Sequence, residues 1–211
     1  NRVAGIIIAT IRNDISSDDI LYEGGIPVVF FDNLPGEGIR FNSVSTNNFE
    51  IGRIAGEYLI SKGHTRIAAI MGKQNETTGY QRYRGFLSAL TAHGLSFPEA
   101  LCKFCDFKEE SGKNAMDGLI SGPDFTAVFI ASSKMTYGAM MSLSGNSLSI
   151  PRDISILAVD IVDKYNIIKP GITSVIQSED EIGRTSAHML MEKIKGGNEY
   201  SNFLIEPFLI E

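Results

Sequence analysis

The sequence has no Trp, two Cys and three His in 211 residues, and each scarcity removes a class of protein. Two Cys cannot form a disulfide framework in a chain of this size. They stand together as Cys102-Lys103-Phe104-Cys105, and a zinc site needs about four ligands. The scattered His64, His93 and His188 show no H-x3-5-H spacing that would complete one. A redox C-x-x-C pair opens a helix, whereas residues 101–107 read as a short extended segment in which positions three apart face opposite ways. The two thiols therefore read as ordinary ones, and no metal or cofactor is expected. No apolar run approaches the roughly 18 residues that a membrane span requires. No basic, apolar leader opens the chain either, so a cytoplasmic location is expected, in which the Asn75-Glu76-Thr77 sequon carries no meaning. Basic residues are in the minority, 19 against 25 acidic, for a net charge of −6 that leaves no footprint for a phosphate backbone. Catalytic signatures are also missing: there is no G-x-S-x-G, no H-E-x-x-H and no G-x-x-x-x-G-K-[ST]. Gly36-Glu37-Gly38 begins a G-x-G-x-x-G but lacks its third glycine, and the chain reads as a protein that is not an enzyme.

What is present is a regular alternation. Residues 3–9, 27–31, 66–71, 126–131 and 154–159 are continuous apolar runs of strand length, the pattern of parallel strands covered on both faces. Between them lie amphipathic segments. Residues 47–62 place Ile51, Ile54, Ala55, Tyr58 and Leu59 on one helical face, with Asn47 and Glu50 spaced as a capping box and Gly63 as the stop. Residues 79–93 and 179–195 repeat the pattern before Gly94 and Gly196-Gly197, and shorter helices are expected over 111–120 and 134–143. Strand and helix alternating in this way predict an α/β fold, a doubly wound sheet with right-handed crossovers.

In open α/β sheets ligands bind beyond the carboxyl ends of the strands, so the residue after each apolar run is informative. Three runs end in Asp32-Asn33, Ser132-Ser133 and Asp160; a fourth ends in Gly72 and a polar loop that feeds a helix carrying Arg82 and Arg84. Carboxylates, hydroxyls and a guanidinium converging on one rim suit a polar small molecule, although a single Asp or Ser at such a place also serves as a turn or cap residue. His64, between a helix end and a strand, reads as closing the helix rather than acting as a general base.

Taken together these segments resemble the effector-binding domain of LacI/GalR-family transcriptional regulators. The residues that carry the resemblance are Gly25-Ile26-Pro27-Val28-Val29-Phe30-Phe31-Asp32, Gly63-His64-Thr65-Arg66-Ile67, Arg82-Tyr83-Arg84-Gly85-Phe86, Ile150-Pro151-Arg152-Asp153-Ile154-Ser155-Ile156 and Ile172-Thr173-Ser174-Val175-Ile176-Gln177, in the family's order across essentially the whole chain. The resemblance implies two Rossmann-like subdomains with parallel sheets, as in type I periplasmic binding proteins. One would comprise residues 1–45 plus 179–206, and the other residues 46–178 plus 207–211. It implies a sugar or related polar effector bound in the cleft between them, with Asp32, Arg82, Asp160 and Gln177 as contacts. Ser132 and Ser133 stand where the family usually carries Asn-Asp, which removes a charge and some reach and points to a different or bulkier effector. A homodimer, and DNA contact through a helix-turn-helix outside this chain, follow from the same resemblance.

The resemblance starts at what would be the third strand of the first subdomain, and the chain does not open with Met. The first subdomain is accordingly expected to be incomplete and the chain a fragment. Two other functions are open to the sequence: an extracytoplasmic sugar or solute receptor of the same fold, against which the Ile150 to Ile156 block argues, and an enzyme on a doubly wound sheet, for which no nucleophile and base are spaced.

Overall fold

The computed structural model describes residues 3–10, 25–35, 40–160, 168–197 and 199–211. Gly36-Glu37-Gly38 lies outside the described residues. In chain order the elements open with β1 (Ile6–Ile8), β2 (Val28–Phe31), β3 (Asn42–Thr46), α1 (Asn48–Ser61) and β4 (Ile67–Met71). They continue with α2 (Thr77–Ala92), β5 (Cys102–Phe104), α3 (Glu109–Ile120), β6 (Ala127–Ile130) and α4 (Ser133–Gly145). The last are β7 (Ser155–Val159), β8 (Thr173–Ile176), α5 (Glu179–Ile194), β9 (Asn202–Ile205) and β10 (Phe208–Ile210). The chain divides into two compact units, one of residues 1–47, 75–78 and 178–206, the other of residues 48–74, 79–177 and 207–211.

The second unit holds a six-stranded sheet ordered β10-β8-β7-β6-β4-β5, parallel throughout except for β10, which runs antiparallel to β8. Its central strands are apolar on both faces because helices cover both: every residue of β4 and of β6 is buried. Ala68 and Ala69 alternate with the larger Ile67, Ile70 and Met71, and the core gathers Ile51, Leu59, Phe86, Met116, Phe129, Met135 and Leu157 around them. These two-sided strands are the apolar runs of the sequence.

The first unit has a four-stranded, all-parallel sheet ordered β1-β2-β3-β9. Helix α5 lays Met189, with Ile182 and Leu190 behind it, on Val29, Val44 and Ile205 of that sheet. Strand β3, Asn-Ser-Val-Ser-Thr, has no apolar run, yet all five residues are buried. Two of its polar side chains are met laterally by β9 and the residue before it: the Asn42 Oδ1 accepts from the Ser201 backbone N–H at 3.2 Å, and the Ser43 hydroxyl lies 2.9 Å from the Asn202 amide. That pairing explains why a polar segment can sit in a sheet, and why period and hydropathy do not reveal it.

Helix α1 ends as its sequence predicts. Gly63 has φ 89°, the His64 N–H reaches back to the Leu59 carbonyl at 3.1 Å, and the Gly63 N–H bonds the Ile60 carbonyl at 2.8 Å, the Schellman arrangement that an L side chain strains. His64 thus closes the helix through its backbone. Its Nδ1 lies 2.8 Å from the Thr126 hydroxyl, and burial pushes the imidazole below its ordinary pKa.

Candidate functional site

The second unit assembles a polar cluster at the carboxyl ends of its parallel strands. Arg82, on α2, is 4% exposed. Its Nε donates to the Asn48 Oδ1 at 2.8 Å, its Nη1 to the Ala131 carbonyl at 2.7 Å and its Nη2 to the Gln177 Oε1 at 3.1 Å. Asn48 opens α1, Ala131 follows β6 and Gln177 follows β8, so three elements converge on one guanidinium. The Asn48, Ala131 and Gln177 oxygens are neutral acceptors, and these bonds orient the guanidinium.

Gln177 passes the network on. Its Nε2 donates to the Asp160 Oδ2 at 2.9 Å, and its backbone N–H bonds the Asp160 Oδ1 at 3.2 Å. The amide cannot be turned over, because its oxygen must face the guanidinium and its nitrogen the carboxylate. Asp160 itself follows β7 in the left-handed region, φ 65°, with its N–H held by the Val175 carbonyl at 2.9 Å. A non-glycine residue kept in that region is characteristic of binding and catalytic sites, where neighbouring bonds overrule local preference.

The Ser132 hydroxyl caps α4, accepting from the Met135 N–H at 3.3 Å, and Ser133 is the first residue of that helix. Both are half-buried in the same unit. Asp32 belongs to the first unit, where it follows β2 with φ 62°. The structure therefore links Arg82, Asp160 and Gln177 in one chain of hydrogen bonds, while Ser132 serves as a helix cap.

Two residues of this rim escape sequence reasoning. Asn48 looks like an ordinary helix-opening residue until Arg82 is seen against it. Phe107, between β5 and α3, is an aromatic residue with φ 63°, seated over Gly72 at the end of β4. A Cβ on Gly72 would fall 1.8 Å from the Phe107 Cζ, so the glycine is what lets the ring lie there. The Asp106 carboxylate brackets Phe107 by taking the Lys108 backbone N–H at 3.3 Å and the Lys108 ammonium at 2.6 Å. An aromatic residue with positive φ has no single-residue signature; the glycine ending the β4 run is its only trace in the sequence.

Other candidate chemistry is quiet. Cys102 and Cys105 are free thiols; burial pushes Cys102 up to about 12 and Cys105 upward as well, so neither is a ready nucleophile. A cavity of about 930 Å³ in the first unit, lined by α5 and β9 residues including His188, Met189 and Phe203, contains none of the strand-end groups.

Comparison with known proteins agrees with this architecture. A sequence family described as periplasmic binding proteins and the sugar-binding domain of the LacI family matches residues 1–211. The HTH-type transcriptional repressor PurR of Erwinia tasmaniensis is 37% identical over 188 residues, 88% of this chain and 55% of that protein. The HTH-type transcriptional regulator CelR of Thermobifida fusca is 33% identical over 198 residues, 92% of this chain and 58% of that protein. A solved complex of the transcriptional regulator CelR with cellobiose superposes with a TM-score of 0.89 at 31% identity, covering 99% of this chain and 65% of that one. The chain thus spans between half and two thirds of the length of these proteins, and they are regulators rather than enzymes. A two-unit α/β fold, strand ends furnished with a buried Arg, a Gln and an Asp, and a family match along its entire length together place this chain in the LacI family of periplasmic-binding-protein-like effector domains.

Proposed function

We propose that this chain is the effector-sensing part of a transcriptional repressor, and that its effector is a sugar or a related polar metabolite with adjacent hydroxyls. The observation that carries the reading is the Asn48–Arg82–Gln177–Asp160 network, in which a buried cation and a carboxylate are held apart by one amide at the carboxyl ends of parallel strands. A guanidinium donates and a carboxylate accepts in charge-assisted hydrogen bonds, so the pair suits vicinal hydroxyls, each both donor and acceptor. Asp32, Ser132 and Ser133 are assigned as further effector contacts, and Phe107 as an apolar face for the ring. Contact with DNA is assigned to a helix-turn-helix outside these residues, as in the HTH-type relatives, and the working form to a homodimer. Binding that favours one of two conformations is enough to pass the signal on; catalysis is not required.

The test is a thermal-shift screen and calorimetry with cellobiose, other mono- and disaccharides, sugar phosphates and nucleosides. One ligand is expected to raise Tm without being consumed, since a ligand at 100 times its Kd stabilises the folded state by about 2.7 kcal/mol. Arg82→Lys and Asp160→Asn are each expected to weaken it by about tenfold or more, because the first replaces the forked guanidinium with a single ammonium and the second removes the acceptor's charge. Unchanged affinity in both variants would show that the effector binds elsewhere.

A further inference from the structure

Arg82 owes its position to more than its acceptors. Helices α1 and α2 meet backbone to backbone across a seam of small residues, Gly52 and Gly56 on one and Gly85 and Ala89 on the other. A Cβ placed on Gly52 would lie 1.9 Å from the carbonyl oxygen of Arg82 itself and 2.6 Å from the Phe86 nitrogen. A Cβ on Gly85 would lie 1.8 Å from the Phe49 carbonyl oxygen, the residue after Asn48. The two glycines are reciprocal: one seats the backbone that carries Arg82, the other the backbone next to its acceptor Asn48. Ordinary contact begins at 3.4 Å, so a methyl at either place forces the helices apart by about 1.5 Å. The bonds of the guanidinium span 2.7 to 3.1 Å, and hydrogen bonds are weak beyond about 3.5 Å. The displacement therefore exceeds what the network can absorb.

We propose that Gly52 and Gly85 are positioning residues for the effector site, setting by direct backbone contact the depth at which Arg82 meets Asn48, Ala131 and Gln177. The functional meaning rests on the effector reading above; the positioning itself does not. The general cost of wedging two packed helices apart is separable from it, because a comparable close approach exists elsewhere in the same unit. A Cβ on Gly112 of α3 would lie 2.3 Å from the Met135 carbonyl oxygen, in a contact that includes no residue of the Arg82 network.

Hydrogen exchange of arginine side-chain Nε–H groups in the ¹⁵N-labelled chain tests the idea without a ligand. The Arg82 Nε–H, identified by its disappearance in Arg82→Lys, is expected to be the most protected of the arginine signals. Gly52→Ala is expected to abolish that protection. Gly56→Ala, a milder wedge whose methyl meets the Ala89 methyl at 2.6 Å, is expected to lower it by about tenfold or more. Gly112→Ala is expected to lower Tm while leaving it intact. If Gly52→Ala does not fold, the comparison of Gly56→Ala with Gly112→Ala decides the matter. Protection retained in the seam variants, or lost equally in Gly112→Ala, overturns the proposal. Protection lost as expected, with no ligand found in any screen, upholds the positioning and removes the effector reading instead.

Discussion

At Arg82 a cation is almost wholly removed from water, and the oxygens of Asn48, Ala131 and Gln177 are among the acceptors that replace its hydration. The sequence points to Arg82 and Asp160 through their places, near the start of a helix and directly after an apolar run, and to Gln177 only through family resemblance. Asn48 and Phe107 are invisible in it, because a cap-like Asn and a loop Phe have many uses and only the fold chooses among them. Phe107 is held by its neighbour. The Lys108 ammonium, and after it the Ser111 hydroxyl, pull the Asp106 carboxyl down from an ordinary 3.8 to about 2. A carboxyl whose pKa is lowered by folding contributes stability that is complete above its unfolded value and is lost as pH falls through the folded one. The Asp106 contribution is therefore full well above 3.8 and is lost as pH falls through about 2. Asp106→Asn is expected to be less stable than the parent at pH 7 and to converge on it only as pH falls below about 2, in urea unfolding followed from pH 7 downward. A difference that stays constant with pH would mean that the carboxylate does not hold this turn. Because Asp106 is on the surface, the effect should also shrink in high salt.

Among the elements, legibility followed burial on two faces. Strands β4, β6 and β7 are near-continuous apolar runs because helices cover both sides, and helices α1, α2 and α5 show their apolar faces and glycine stops. Strand β3 does not, since its buried Asn42 and Ser43 are satisfied by β9 rather than by burying hydrocarbon. Strand β9 is missed for a related reason: three of its four residues are exposed. Bounds read from periodicity ran short where a helix begins in polar residues, as α3 does at Glu109. Two glycines separate conformational need from tolerance. Gly63 sits at φ 89° with open space around it, so the cost of a side chain there is purely one of backbone conformation. Gly63→Ala is expected to destabilise by about 1 kcal/mol. Gly183, within α5 and also with no neighbour inside 4 Å, has no such φ, and Gly183→Ala is expected to stabilise by about 0.5 to 1 kcal/mol. Chemical denaturation of the two variants side by side checks both signs, and equal shifts in one direction would contradict the account.

For the whole molecule the question is what the second unit offers to a partner copy. Helix α4 turns Thr136, Ala139 and Leu143 inward and leaves Tyr137 and Met141, one turn apart, 41% and 53% exposed. Met140 and Gly145 extend the same surface beside an open cavity of about 760 Å³. Surface helices usually reserve that spacing for charged residues, and an exposed aromatic–methionine pair at i, i+4 is better suited to an interface, where such side chains carry much of the binding energy. The net charge of −6 acts against association in general, so a homodimer would need a locally apolar face; α4 itself carries no acidic residue, and Glu109 of α3 stands at the edge of the same cavity. A homodimer built on this face predicts that Met141→Glu weakens self-association by about tenfold or more, through one buried, unpaired carboxylate per copy. Sedimentation equilibrium over a range of concentrations measures it directly. The variant's Tm at a concentration where the parent is monomeric should match the parent's, because the side chain is exposed in the single chain. A dimer constant unmoved by Met141→Glu would place the interface on another surface; a parent that stays monomeric at all concentrations would show that this chain does not self-associate through α4 at all.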